Sequence, residues 1–342
     1  MTSAEEILAL RDKEAAALFG GDVRKGFRKL AAEWHPDRSR HPRASEVFAR
    51  LTALRDVALG RKPLAASSAK AASGRIYRTA DGRTVKANIL SASAGPLGEV
   101  LVGRSTLSYE YPEEFADVAE AEAARLKAGF RFADDAMRRE MERFLPQLER
   151  TLEADGKRVT VLRRPADAVL LSDLTAHMGG RIPAVHVAWI VSGMLNIASY
   201  LNWAGISHGS VATSTMLVCP QFHSVILAGG WGFATEFGKR PPVLPERTLS
   251  AVPRLALPGE LPDPSVDLQL VRATALEMLG CPGGGGLAFD RETPAPMKNW
   301  LLLPPLADAF ADYAGWSRCL DESFGKRRFV DMGVAPSDVY GN

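Results

Sequence analysis

The sequence is short of sulfur, of net charge and of long apolar runs. Its three cysteines, Cys219, Cys281 and Cys319, are scattered and odd in number. No Cys-x-x-Cys pair and no Cys/His cluster appears, so neither a zinc site nor a disulfide framework is indicated, and no metal is expected. This usage suits a reducing cytoplasm, which is the expected location. A net charge of only +2 argues against nucleic acid as the main partner. No apolar run reaches the roughly 18 residues that a membrane helix needs. Near the start stand Glu5 and Glu6, not the basic stretch and apolar core of a secretory leader, so no membrane partner is expected. Gly283 to Gly286 lack a following Lys-Ser/Thr and make no phosphate cradle. Gly-x-Ser-x-Gly is absent, which removes the hydrolase elbow.

What is present is enough apolar residue, 46% of 342, to bury a sizeable core, and a length that points to two units. Residues 61–74 are small and polar without apolar periodicity, and read as a flexible linker. Ahead of it, Val23, Phe27, Leu30 and Trp34 share one face of a helix. Arg24, Lys25, Arg28 and Lys29 lie mostly on the other face. Pro36 biases His35 away from the helical region, so the helix ends near Trp34. A second amphipathic helix follows Pro42, with Val47, Phe48, Leu51 and Leu54 on one stripe. Two antiparallel helices would bury these stripes together and leave His35-Pro36-Asp37 at the tip.

This stretch resembles the J domain of DnaJ-type co-chaperones over about residues 20–60. The resemblance rests on a basic helix, His35-Pro36-Asp37 between Trp34 and Arg38, and a helix with Phe48 and Leu51. It implies docking on a DnaK-type chaperone ATPase and stimulation of its ATP hydrolysis. The partner-binding residues would be His35, Pro36, Asp37, Arg24, Lys25, Arg28 and Lys29. A generic helical hairpin with a solvated basic face is the plainer alternative. The expected first helix, Glu5 to Leu18, departs from the family in being Ala-rich and lacking an aromatic pair near its start.

After the linker the pattern turns to sheet. Arg75 to Thr79 and Arg83 to Leu90 flank Asp81-Gly82, and Leu148 to Leu152 and Arg158 to Leu162 flank Asp155-Gly156. Both are hairpin signals. Thr106 to Tyr111 is a further strand, and Phe115 to Lys127 a helix. From Val187 to Leu201 runs the clearest helical stripe of the chain. Short strands are expected at Met216 to Val218 and Val225 to Leu227, irregular chain over 235–264, a buried helix from Val266 to Leu279, and helices near Lys298–Leu306 and Leu306–Phe324.

A sheet-rich lobe with one helix, then a helical lobe, is the order of a protein-kinase fold. The specific resemblance lies at Ile206 to Val218, which looks like a kinase catalytic loop. His208 matches the pattern, but the base Asp falls on Ser210 and the metal-binding Asn on Thr215. Gly229-Gly230-Trp231-Gly232 resembles the Asp-Phe-Gly segment, with the magnesium-binding Asp falling on Gly230. Asp267 would be the buried acid that caps the loop backbone. Glu122 would be the acid of the small lobe's helix, and Gly95 to Gly98 the glycine loop. The strand lysine should lie near Leu107 to Tyr109, where there is none. Phosphoryl transfer works by positioning and charge neutralisation, and magnesium needs oxygen ligands, chiefly carboxylates. The resemblance therefore implies a pseudokinase that keeps only the structural residues Glu122, His208 and Asp267. His208 reads as a buried structural histidine, and His177, His186 and His223 as isolated, either on the surface or satisfied in the core. Trp203 and Trp231 read as packing residues.

The expectation is an α+β chain: a J domain (1–60), a linker (61–74), a two-lobed kinase-like domain (75–330, lobes 75–165 and 166–330) and a tail (331–342). It would be a co-chaperone that is no enzyme, the kinase-like part serving as adaptor for an unknown client protein. No cofactor is expected beyond weak, metal-independent nucleotide binding at residues 163–171. The alternative is a divergent, active phosphotransferase carrying a J domain.

Overall fold

A computed structural model describes residues 3–10, 14–20 and single positions from 23 to 58, then 73–79 and 82–341 except 242 and 327. The fold is mixed α+β, with a curled antiparallel sheet. The chain divides into two compact units, Met1–Ala66 and Ser67–Asn342.

In the first unit, Ser3 caps helix α1 (Ala4–Ala9) through a capping box with Glu6. Leu10 is extended, and a second short helix, α2 (Ala15–Phe19), ends at Gly20. The single helix expected from Glu5 to Leu18 is thus two pieces. The carbonyl that Leu10 withdraws from the helix accepts from the Arg50 guanidinium. Val23, Lys29, Leu30 and Trp34 are helical, as are Val47, Leu51, Leu54 and Ala58. Ala4, Ile7, Phe19, Trp34, Val47, Leu51 and Leu54 form one buried cluster, with Val23 and Leu30 packed against it. The two apolar stripes therefore share a core, as their spacing requires.

The second unit opens with six strands: β1 (Ser73–Arg78), β2 (Thr84–Ala94), β3 (Glu99–Gly103), β4 (Thr106–Pro112), β5 (Leu148–Ala154) and β6 (Lys157–Arg163). Their order is β1-β2-β3-β4-β6-β5, antiparallel throughout. Asp155 and Gly156 both take positive φ, 50° and 69°, as the tight β5–β6 turn demands. The sheet curls until its edges meet: Thr79 bridges to Ala154, and the Asp155 N–H donates to the Arg78 carbonyl. Tyr77, Ile89, Leu101, Val159 and Val161 fill the enclosed side. On the opposite face, Val100, Val102, Leu107, Tyr109 and Tyr111 join the main core. Helix α3 (Ala116–Ala128) buries Val118, Ala119, Glu122 and Leu126.

A short connector leads through strand β7 (Val169–Leu170) and helix α4 (Leu171–His177) to helix α5 (Ala184–Ala204). By length and composition alone α5 could cross a membrane, but 72% of its most apolar window is buried inside the fold. Its Ser, Asn and Gly residues had hidden that apolar length from a search for uninterrupted runs. Strands β8 (Ile206–Ser207), β9 (Met216–Cys219) and β10 (Ser224–Leu227) follow, then helices α6 (Glu246–Ala251), α7 (Pro264–Met278), α8 (Ala295–Leu302) and α9 (Ala309–Phe324). Helix α6 lies where irregular chain was expected: Pro245 at its N-cap turns the chain into a helix too short to show a period. Helix α8 stops at Leu302, because Pro304 and Pro305 cannot continue it. Residues 331–342, expected to be a tail, include a last turn of helix, α10 (Pro336–Tyr340), and Met332 lies in the main core.

Candidate functional site

Two sets of residues were marked by the sequence. Of the first, His35, Pro36, Asp37, Arg24, Lys25 and Arg28 lie outside the described residues. Lys29 is helical and exposed, and Trp34 is buried against His41 at 5.4 Å between ring centroids. The second set is brought together at the junction of sheet and helices.

Gly205, in the left-handed conformation, ends α5 and turns the chain into β8. The next residues form a loop fixed from below by α7. The backbone N–H groups of His208 and Gly209 donate to the two carboxylate oxygens of Asp267, at 2.7 and 2.8 Å. Burial raises the Asp267 carboxyl to about 6, against the pull of those donors. Inside the loop, the Thr215 hydroxyl donates to the Ser210 carbonyl at 2.8 Å and accepts from the Ala212 N–H. The Ser210 N–H donates to His208 Nδ1 at 3.3 Å. His208 is wholly buried, edge-on to Trp231, and burial with the Arg125 charge lowers its pKa to about 3. Thr215 thus spends its hydroxyl on the loop and His208 its Nδ1, while His208 Nε2 is buried without a hydrogen-bond partner among the described residues, and the imidazole stays neutral.

From the sheet side, β4 presents Leu107, Tyr109 and Tyr111 on one face. Tyr111 Oη donates to Glu122 of α3 at 2.8 Å. Burial raises the Glu122 carboxyl to about 7, opposed by Tyr111 and by the N–H groups of Gly232 and Gly230. Tyr109 lies in the stretch Leu107 to Tyr109, where the kinase resemblance led to the expectation of a lysine. Its hydroxyl crosses to the helical side and donates to the Ser214 carbonyl at 2.9 Å. The ring needs Gly229 beneath it: a Cβ there would lie 2.1 Å from the ring. Gly230 takes φ +85°, and a Cβ on it would meet Ser210 at 2.9 Å and His208 at 3.1 Å. An aspartate could not enter at 230 without moving the loop.

Tyr109 is 1% exposed, Ser210 3%, and Glu122 and Thr215 are fully buried. These four side chains are closed into a buried polar core. The connector that could serve an adenine ring is also committed. The N–H groups of Arg164, Ala168 and Leu170 donate to the Ser105 carbonyl, the Pro165 carbonyl and the Tyr340 hydroxyl. A groove of about 400 Å³ lies elsewhere, between α3 and strands β5 and β6, and holds none of the marked residues. Among the described residues no three His, Cys, Asp or Glu side chains come together to hold a metal.

Sequence reasoning missed Tyr109, Tyr111, Arg164 and Tyr340. The alternation Leu107-x-Tyr109-x-Tyr111 was the available signal, since period two puts all three on one face. Nothing local marked Tyr340, whose partner Leu170 is far away in sequence. Trp203, read as a packing residue, is 39% exposed. No family model and no curated protein matches this chain.

Proposed function

We propose that the chain is a two-module co-chaperone: a J-domain-like unit that recruits and stimulates a DnaK-type ATPase, joined to a kinase-like unit that binds a client without catalysing anything. The observation that carries the non-catalytic half is the Tyr109 hydroxyl on the Ser214 carbonyl, over a loop whose Ser210 and Thr215 are buried. Phosphoryl transfer needs a nucleotide seated with its charge offset by metal and lysine. Here the stretch Leu107 to Tyr109, where the resemblance would put the lysine, holds none, and the place of the metal-binding Asp is a glycine with no room for a side chain. Support for the kinase-like reading comes from the order of sheet, inserted helix, connector and helices, and from Asp267 holding the loop backbone. The J-like half is supported by the shared core of Val23, Leu30, Trp34, Val47, Leu51 and Leu54, which flanks His35-Pro36-Asp37 in sequence.

The test is steady-state ATP hydrolysis by a DnaK-type chaperone with the full chain added. Stimulation is expected from the wild type and not from His35→Gln or Asp37→Asn, with helical content unchanged. Stimulation by those variants equal to wild type would sink the J-domain reading. Separately, magnesium-ATP should leave the melting of the larger unit unmoved. Incorporation of labelled phosphate, lost on Thr215→Ala, would revive the phosphotransferase alternative.

A further inference from the structure

Residues 328–340 run back over the larger unit and pack on it mostly through half-exposed side chains. Phe329 stacks on His223 at 4.0 Å between centroids, and His223 stacks in turn on Trp189 of α5 at 4.6 Å. The Val330 carbonyl meets His223 Nε2 at 3.0 Å. His223 is therefore sandwiched between two aromatic rings. Farther on, Val334, Val339 and Tyr340 pack against the main core, and Met332 is buried in it. Tyr340 Oη accepts from the Leu170 N–H at 2.8 Å, and its ring lies 5.4 Å from the Arg164 guanidinium carbon.

That last contact is where three parts of the unit meet. Leu170 begins the helical half. Arg164 stands in the connector and donates to the carbonyls of Gly103 and Arg104 at the β3–β4 turn. Asp173, on α4, is partly buried nearby, and that burial raises its carboxyl. One phenol thus touches the connector, the helical half and, through Arg164, the sheet. Another tie between the halves is Tyr109 to Ser214, inside the junction. The two differ in cost of release. Tyr109 is 1% exposed and cannot leave without opening the core. In residues 328–340 Met332 alone is buried, and Phe329 is 66% exposed. A segment with so few buried apolar contacts opens at the low end of the free-energy scale.

We infer that residues 328–340 are a releasable strap that clamps the two halves at the connector, and that its release is the step that loosens the Tyr109 seal. This rests on the contacts of the larger unit alone and stands whether or not the first unit engages a chaperone. The experiment is amide hydrogen exchange on the full chain, comparing wild type with Tyr340→Ala, Tyr340→Phe and Phe329→Ala. For Tyr340→Ala, exchange should be about tenfold faster or more in peptides covering 164–173, and also in 106–112 and 208–216. Tyr340→Phe keeps the ring by Arg164 and loses the hydroxyl, so it should give a smaller effect in the same peptides. Phe329→Ala frees the other end and should act on those peptides too, which keeps the test alive if Tyr340→Ala folds poorly. Faster exchange confined to 328–341 in all three variants would overturn the proposal.

Discussion

Two tyrosine hydroxyls tie sheet to helices in the larger unit, and they do so under opposite conditions. Tyr109 is sealed inside, over a glycine that exists to admit it, and donates to the Ser214 carbonyl. Tyr340 sits half-buried at the connector and accepts from the Leu170 N–H. The contrast teaches that the same phenol can be part of the core or a fastening laid on it. What decides is how much apolar surface comes with it. A buried hydrogen bond is worth only about 1 kcal/mol net, whereas the aromatic ring that carries it is worth several when fully buried.

The largest expected effect attacks the buried side. Gly230→Asp puts a Cβ within 3 Å of Ser210, at positive φ, and a charge in a closed core. It should cost more than about 4 kcal/mol, and thermal melting should show the larger unit unfolded or far less stable. A variant that melts like wild type would mean the junction is open. Tyr109→Ala comes next, at about 3–5 kcal/mol for a buried aromatic, read by denaturant unfolding of the same unit. A loss below about 1 kcal/mol would place Tyr109 on the surface class with Tyr340.

The third prediction uses pH. Glu122 is raised from 4.5 to about 7, so the folded state keeps a proton that the unfolded state releases. Its contribution is present below 4.5 and is lost as pH rises through about 7. His208 is lowered from 6.5 to about 3, so its contribution is present above 6.5 and lost as pH falls toward 3. Between 4.5 and 6.5 the two oppose each other. Glu122→Gln removes the first alone. Relative to wild type, its unfolding free energy should gain about 1.4 kcal/mol per pH unit across that window. Parallel pH profiles for the two proteins would count against a protonated Glu122. The smallest effect belongs to the exposed side: Tyr340→Phe should cost about 0.5–1.5 kcal/mol, the worth of one hydrogen bond. A cost equal to that of Tyr109→Ala would erase the contrast between the two tyrosines.

Much of the fold was legible because it is local. Asp155-Gly156 announces a turn that only certain φ values allow, and Val187 to Leu201 repeats at a helical period, so both elements stand where the sequence put them. The loop at 206–215 and Asp267 were marked by the resemblance to a kinase catalytic loop, and Asp267 accepts from the loop backbone at His208 and Gly209. Two expected elements differ in the structure: the first helix breaks at Leu10, and a helix forms at Glu246–Ala251. Met332 and Tyr340 also hold the last residues against the core. Each outcome depends on a distant partner or on a stretch too short to carry a period.

The sequence by itself determined the absences and the periods. It has no carboxylate at positions 210, 215 and 230, and no lysine in Thr106–Pro112. Its apolar residues recur at helical spacing over 23–54 and in alternation over 107–111. These are properties of residue type and order, and no fold can alter them. Only the tertiary structure decided what fills the places left empty. Tyr109 reaches Ser214 across 105 residues of sequence, and Tyr340 reaches Leu170 across 170. Contacts at such separations leave no local pattern, because they are made by the shape of the whole chain and not by neighbours along it.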